Sequence, residues 1–531
     1  MSKPTVKKKD SNTFDYMKTN KDNLQNIILN PSILHIIDNL VTRTNKIIIH
    51  AYQFIKLYLS FLYQNNTKFP SIDKKFISHV FKVITIRKSN SGGYSEDKMP
   101  EQLKLLSSFY QQHYINTLYK NEAIYYDKLP HILAYEAIDM VTNINNNIQQ
   151  NFINHLNKYV NIVFKLKEKI SEITKNNKDK IIRKELHKNL YQEFYYIKQD
   201  LCSFNKDYIS DIKYHNWINE QKLKLFPNKN KFDHDSIHYD LKSNTQDYLI
   251  SMFYILEQFE IFNKHNENTD TKEIRLFNVL PLRTNIISKH ITIDTCGLIS
   301  NFIETDIAKN LSNYKKDNNQ FNLWNRFFKL NHKSLKKNKY TFNFMIKTDG
   351  ISVSILFIKL DKNNIPLKKS FKNNTDNFDY IEQVEITQDI KNKKVICIDP
   401  GYSDIIYCGA KNEKGDLQTF RYTQNQRRLE TKSKKYNKII EEINTETKIS
   451  NKSIKEIETK LSKLNSKTIN FEKFYKYCIK KNKLNSKLYQ HYQQRIFRKL
   501  KLNRFINSQK SESKMLNNFK NKFGNPNDKD I

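Results

Sequence analysis

An acid closes a short apolar run, Val395-Ile396-Cys397-Ile398-Asp399, and Pro400-Gly401-Tyr402-Ser403 turns the chain directly after it. A carboxylate at the end of a buried strand costs on the order of several kcal/mol to desolvate unless it is paired or holds a metal. One chemistry that places an acid there is two-metal phosphodiester hydrolysis, with Asp399 as a ligand of Mg²⁺. Another is the first phosphate loop of an actin- or sugar-kinase-like ATPase, which needs further Gly-rich loops where backbone approaches nucleotide. Only Gly409, Gly415 and Gly524 follow Gly401, too sparse for such loops, so the ATPase reading falls. A plainer reading stands beside the metal one: Asp-Pro-Gly is good turn chemistry, and the acid caps the turn.

Basic and aromatic residues interleave just downstream. Arg421, Tyr422, Arg427, Arg428 and Lys432 are candidates for contact with a polynucleotide, guanidinium groups for phosphates and the ring for stacking. A second basic set, Lys487, Arg495, Arg498, Lys499 and Lys501, surrounds a stripe of Leu484, Leu488, Tyr492, Ile496 and Leu500 that recurs every four residues. A solvated helix face is the alternative for that second set.

These residues need elements to hold them. Residues 395–399, 404–410 and 417–423 read as three strands on short turns, an antiparallel meander whose first strand is apolar enough to be central. Helical periodicity follows over 427–444 and through the 484–500 stripe. Upstream, residues 340–347 and 351–360 alternate apolar and polar around Thr348-Asp349-Gly350, a hairpin with Gly where φ must be positive. Asp294, after Ile291 and Ile293, reads as a hairpin or helix cap, and Asp404 as a start-of-strand cap. Trp324, Phe327 and Phe328 read as core. The layout expected is α+β and multidomain: a mobile N-terminus over 1–21, a helical lobe over 22–271, a β-rich module over 272–390, and basic helices around the meander over 391–531.

The chain has 531 residues and a formal charge of +36, from 91 Lys and Arg against 55 Asp and Glu. Its 79 Lys against 12 Arg, with dense Asn and Ile, is what A/T-rich coding DNA produces, so part of that charge is compositional drift. Residues 421–531 nevertheless carry +19, a concentrated footprint for a polyanion partner. No run of apolar residues is long enough to span a membrane, and the first residues carry no secretory signal. Five scattered cysteines give no disulfide framework and no zinc site, and they suit a reducing compartment.

Ile398-Asp399-Pro400-Gly401, Phe420-Arg421-Tyr422-Thr423-Gln424 and Gln426-Arg427-Arg428-Leu429-Glu430-Thr431-Lys432 together resemble the Fanzor branch of the TnpB-like proteins. These are transposon-encoded, RNA-guided DNA nucleases of eukaryotes and large DNA viruses. Residues 277–284, 290–295, 324–328, 348–354, 511–514 and 519–524 also match, so the resemblance covers about 270–525 and is weaker before it. It implies a helical recognition lobe, a β-barrel-like wedge module and an RNase H-like (RuvC-like) nuclease domain, with a guide RNA and target DNA as partners in the nucleus or cytoplasm of a host cell. The family site needs an Asp on the first strand, a later Glu and a final Asp, with a zinc-binding insertion between the last two. Asp399 fits the first. The later acids Glu441, Glu442, Glu458, Glu472, Glu512 and Asp530 lie in no apolar strand and read as solvated charges. The expectation is therefore an incomplete RuvC-like domain, inactive unless a second chain supplies the missing acids, or a catalytically dead homologue that only binds RNA or DNA.

Overall fold

The structure, a computed structural model, describes residues 16–86, 99–121, 124–205, 207–267, 272–303, 314, 318–363, 365–367, 385, 388, 394–412 and 414–524. They form helices and small antiparallel sheets, an α+β composition, and the chain divides into two compact units. The first unit draws on residues 1–41, 287–456 and 490–531, the second on 42–286 and 457–489.

The second unit is helical, because its apolar residues recur at three- and four-residue spacing and so line one side of each helix. Helix α1 (Ile33–Gln64) gives this unit its later turns. Helix α2 (Pro130–Val163) opens on a proline, whose missing N–H costs nothing in the first turn. Then come α3 (Leu166–Asn176), α4 (Lys180–Leu201) and α5 (Tyr248–His265). Aromatic rings join them: Phe152 of α2 meets Tyr248 of α5 edge-on at 4.7 Å, and Phe54 of α1 meets Phe109 at 5.6 Å. Lys56 of α1 is wholly buried in this core. Its Nζ donates to the Ser466 carbonyl at 2.6 Å and lies 4.5 Å from the centre of the Phe474 ring. Burial pushes its pKa down to about 7, against weaker opposing influences from Cys478 and Glu260.

Among the described residues the first unit holds two larger sheets and a two-stranded ribbon that pairs Lys448–Ile449 with Lys452–Ser453. Strands β1 (Met17–Asn23), β2 (Ile291–Asp294), β3 (Thr341–Thr348) and β4 (Ser352–Ile358) form one, in the order β1-β4-β3-β2 and antiparallel throughout. The hairpin between β3 and β4 turns where expected. Gly350 takes φ +86°, and Asp349 Oδ1 accepts from the Ile351 and Ser352 amides at 3.0 and 2.7 Å. The barrel-like expectation is corrected: among the described residues this is an open sheet, with β1 and β2 as edges too few strands apart to close. So is the mobile segment to residue 21. Residues 17–21 belong to β1, whose polar side chains gave no apolar signal because the strand is held by its backbone ladder to β4. Helix α6 (Thr295–Phe302) follows β2 and is capped by Asp294, whose Oδ1 accepts from the Gly297 amide at 2.7 Å. Trp324 and Phe328 are core, and the indole N–H donates to Thr295 Oγ1 at 3.0 Å.

The second sheet is the meander: β5 (Cys397–Asp399), β6 (Asp404–Lys411) and β7 (Leu417–Thr423), antiparallel in that order. The helical stretch after it is two helices, α7 (Gln424–Glu430) and α8 (Ser433–Glu446), broken where Lys432 takes φ +56°. The 484–500 stripe is likewise split. Helix α9 (Phe471–Tyr492) ends, Gln494 turns extended at ψ 138°, and α10 (Arg495–Phe523) begins.

Candidate nucleic-acid interface

Asp399 ends β5, and the turn after it is fixed by backbone: the Gly401 amide donates to the Asp404 carbonyl at 2.8 Å, and the Gln424 amide to the Ser403 carbonyl at 2.9 Å. The acid is exposed, as is the whole of β5, so the desolvation cost expected for it does not arise. Among the described residues the strand is also an edge and not the centre of its sheet. Register explains the exposure. Ile398 lies opposite Cys408 and shares its face, where Cys408, Ala410 and Phe523 form a core with Ile396, Ile406, Phe420 and Phe519 packed on it. Helix α10 supplies Phe519 and Phe523, and that cover stops short of β5: Cys408 is fully buried while Ile398 is 57% exposed.

Two of the nominated contact residues are interior. Tyr422 is 3% exposed, and its hydroxyl sits 2.5 Å from Ser511 Oγ of α10. Its ring faces the core side of the sheet, since it stands two residues from Phe420, so it cannot stack on a base. Ser511 Oγ also donates to Glu430 at 2.6 Å, and Lys514 reaches the same carboxylate at 3.1 Å. Burial pushes the Glu430 pKa up, but bonds from Ser511, Gln426 and Lys514 outweigh it and hold the carboxyl below its ordinary range. This chain of contacts clamps α10 to α7 and β7.

Arg498 is the second, 3% exposed. Its Nη1 donates to Asp38 Oδ1 at 2.8 Å and to the Asp349 carbonyl at 2.6 Å, and its Nη2 to the Gln493 carbonyl at 3.0 Å. It therefore pins the start of α10 to the β3–β4 turn. Behind that turn His290 Nε2 lies 2.8 Å from Ser352 Oγ. Burial pushes the His290 pKa down to about 4; Asp349 opposes this, and Lys21, Lys501 and Lys347 reinforce it. The imidazole is neutral at ordinary pH, and the cluster serves structure.

The remaining candidates are at the surface. Arg421 pairs with Asp404, which holds the guanidinium still more firmly protonated and uses up the acid read as a strand cap. Arg427 and Arg428 of α7, Lys432 at the break, and Arg495, Lys499 and Lys501 of α10 are all exposed. Arg504 of α10 donates to Asn437 of α8 at 2.7 Å, and Asn507 to the Tyr436 hydroxyl at 3.0 Å, which fixes α8 and α10 side by side. Lys487 is exposed too, but belongs to the other unit. The later acids are helix charges: Glu441 pairs with Lys455 at 2.9 Å, Glu442 with Lys438 at 3.7 Å, and Glu472 is exposed. Asp530 lies outside the described residues. Among the described residues no three His, Cys, Asp or Glu side chains are grouped to hold a metal, so Asp399 does not fit a two-metal site there. No described helix is long and apolar enough to cross a membrane.

Residues 291–359 match a family model described as a domain of unknown function (DUF8286). The matched segment runs from β2 to the end of β4 and includes Trp324 and the Asp349-Gly350 turn. A comparison with curated proteins finds no match.

Proposed function

We propose that this chain is a TnpB-like, Fanzor-type nucleic-acid-binding protein of a transposable element, acting inside its host cell. It holds a guide RNA and target DNA through phosphate contacts, while base pairing supplies specificity. The observation that carries the reading is a set of exposed cations, Arg427 and Arg428 of α7, Lys432 at the break after it, and Arg495 and Lys499 of α10, on a helical layer clamped beside an antiparallel meander that ends its first strand in Asp399. RuvC-like hydrolysis requires more acids than Asp399, so no cleavage step is assigned to this chain by itself. A second chain that supplies them would complete the domain. The exposed Ile398, beyond the edge of the α10 cover, also suits a binding-only homologue whose sheet stays as it is.

Titration of labelled duplex DNA and of RNA against the purified chain at several salt concentrations tests this. Five phosphate contacts give a log–log salt slope of about −4.5 on duplex, and Arg427→Glu with Arg428→Glu brings it to about −2.7. Salt-insensitive binding, or none, refutes the reading. Mg²⁺-dependent cutting by the chain alone, lost in Asp399→Ala, refutes the incomplete site and leaves the binding claim standing.

A further inference from the structure

We propose that the outward face of α4, in the helical unit, is a second polynucleotide site that takes single strands by base stacking. It needs neither the meander nor Asp399, and none of the residues that support the proposed function lies on it. Lys184, Lys188, Tyr191 and Tyr195 are spaced four, three and four residues apart. On a helix of 3.6 residues per turn these positions fall within an arc of about 60°. All four are exposed, the two tyrosines at 53% and 55%. A side about 120° round the helix is committed: Leu190, Phe194, Ile197 and Leu201 are buried in the unit's core.

An exposed tyrosine on a helix is ordinary; two adjoining ones in line with two lysines, with no acid in the stripe, are less so. Glu185 lies just outside the arc, about 100° round from Lys184 and about 60° from Lys188. Glu193 is on the far side, where it pairs with Lys213 at 3.1 Å and accepts from the Tyr214 hydroxyl. Neither Lys184 nor Lys188 has an acidic partner among the described residues. Helix α3 lies alongside, joined by a 3.3 Å contact between Thr174 and His187, and carries exposed charges of both signs, Glu168, Glu172 and Lys175. From Lys180 to Lys198 the face is about 27 Å long at 1.5 Å per residue. Rings that project from a rigid, cationic helix match a chain of bases on a phosphate backbone: every base has a π-face, so stacking tolerates any sequence, and the ammonium groups meet the phosphates. A duplex hides its bases and gains only the charge term. A polyanion without rings, such as polyglutamate, gains only that term as well.

Fluorescence polarisation with the full chain and labelled oligouridylate and oligothymidylate reads this site. Replacing both Tyr191 and Tyr195 with Ala is expected to weaken binding of both probes at least tenfold, since each stacked ring contributes about 1–3 kcal/mol. Tyr191→Phe with Tyr195→Phe keeps the rings and restores binding. Lys184→Gln with Lys188→Gln flattens the salt slope by about 1.4. Photocrosslinks from 5-bromouridine in the probe map to the peptide holding Tyr191 and Tyr195. All these positions are solvent-facing, and an unchanged unfolding transition in each variant guards against misfolding. The inference is overturned if the alanine pair binds like the parent protein, if the phenylalanine pair binds as weakly as the alanine pair, or if polyglutamate displaces the probe as well as an unlabelled oligonucleotide does. Arg427→Glu with Arg428→Glu separates the two ideas: loss there with none on α4 refutes this site alone, and the reverse refutes only the proposed function.

Discussion

Lys56→Met changes one buried ammonium group into a side chain of similar length without charge. In the folded chain burial lowers the Lys56 pKa from its ordinary 10.5 to about 7. The lowering means that the charged form is disfavoured by about 5 kcal/mol relative to the unfolded chain. Below pH 7 both states carry the proton and the whole penalty is present. Between pH 7 and 10.5 the unfolded chain binds the proton that the folded chain has lost, so stability rises with pH through that window. Above 10.5 the penalty is gone. About 4 kcal/mol of it remains at pH 7 and less than about 1 kcal/mol at pH 10. Methionine removes the penalty at every pH but leaves the Ser466 carbonyl without its 2.6 Å donor, a constant loss of about 1–3 kcal/mol. The variant is therefore more stable than the parent at pH 7 by about 1–3 kcal/mol, and this advantage disappears or reverses by pH 10. The sequence has two tryptophans, Trp217 in the helical unit and Trp324 in the other, so urea unfolding followed by Trp217 fluorescence in a Trp324→Phe background reports the unit that holds Lys56. A difference between variant and parent that stays flat from pH 7 to 10 would refute the reasoning, whatever its size.

Three further outcomes concern the first unit. Gly350→Ala places a Cβ against Asp38 Oδ1 and Arg498 Nη1 at a residue with φ +86°, and is expected to cost more than about 2 kcal/mol, read from the Trp324 unfolding transition. Arg498→Met strips the donors from Asp38 and the Asp349 carbonyl and is expected to cost about 3–5 kcal/mol. Asp38→Asn costs less, because that carboxylate is a third exposed; equal costs in urea titrations would contradict this. Tyr422→Phe loses the hydroxyl contact with Ser511, lowers stability by about 1 kcal/mol and leaves nucleic-acid affinity unchanged in the polarisation assay; weakened affinity at full stability would show that the ring contacts ligand.

The elements that announced themselves in the sequence are those whose determinants are local. The β3–β4 hairpin and the β5–β6–β7 meander rest on alternation and turn residues, and the Asp294 cap on a side chain three residues from its donor. What failed to show rests on distant partners. β1 has no apolar rhythm and exists through β4, more than 300 residues later. The break at Gln494 holds no glycine or proline; the Gln493 carbonyl instead bonds Arg498, itself fixed by Asp38 and Asp349. Arg421 and Tyr422 look alike as contact residues in one dimension, but strand alternation sends one to solvent and the other to Ser511. Asp399 sits at the end of its strand as the turn residues indicate, on the face opposite Ile398 and away from α10; which face α10 covers, and how far it reaches toward Ile398, no nearby residue encodes.

The three-part composition of the first unit has a consequence for its birth on the ribosome. At about 5–20 residues per second, the roughly 330 residues between the end of β1 at Asn23 and the start of β4 at Ser352 take roughly 20–70 seconds to synthesise, and β1 has no partner strand until then. Residues 42–286, most of the helical unit, emerge during that wait, so the helices have the opportunity to collapse first. Arg498 and Ser511, which pin α10 to the hairpin and the sheet, are synthesised only after α7, α8 and α9. Until they do, the apolar face of the meander has no Phe519 or Phe523 over it, and the nascent chain at that stage is the form most exposed to chaperones and to aggregation.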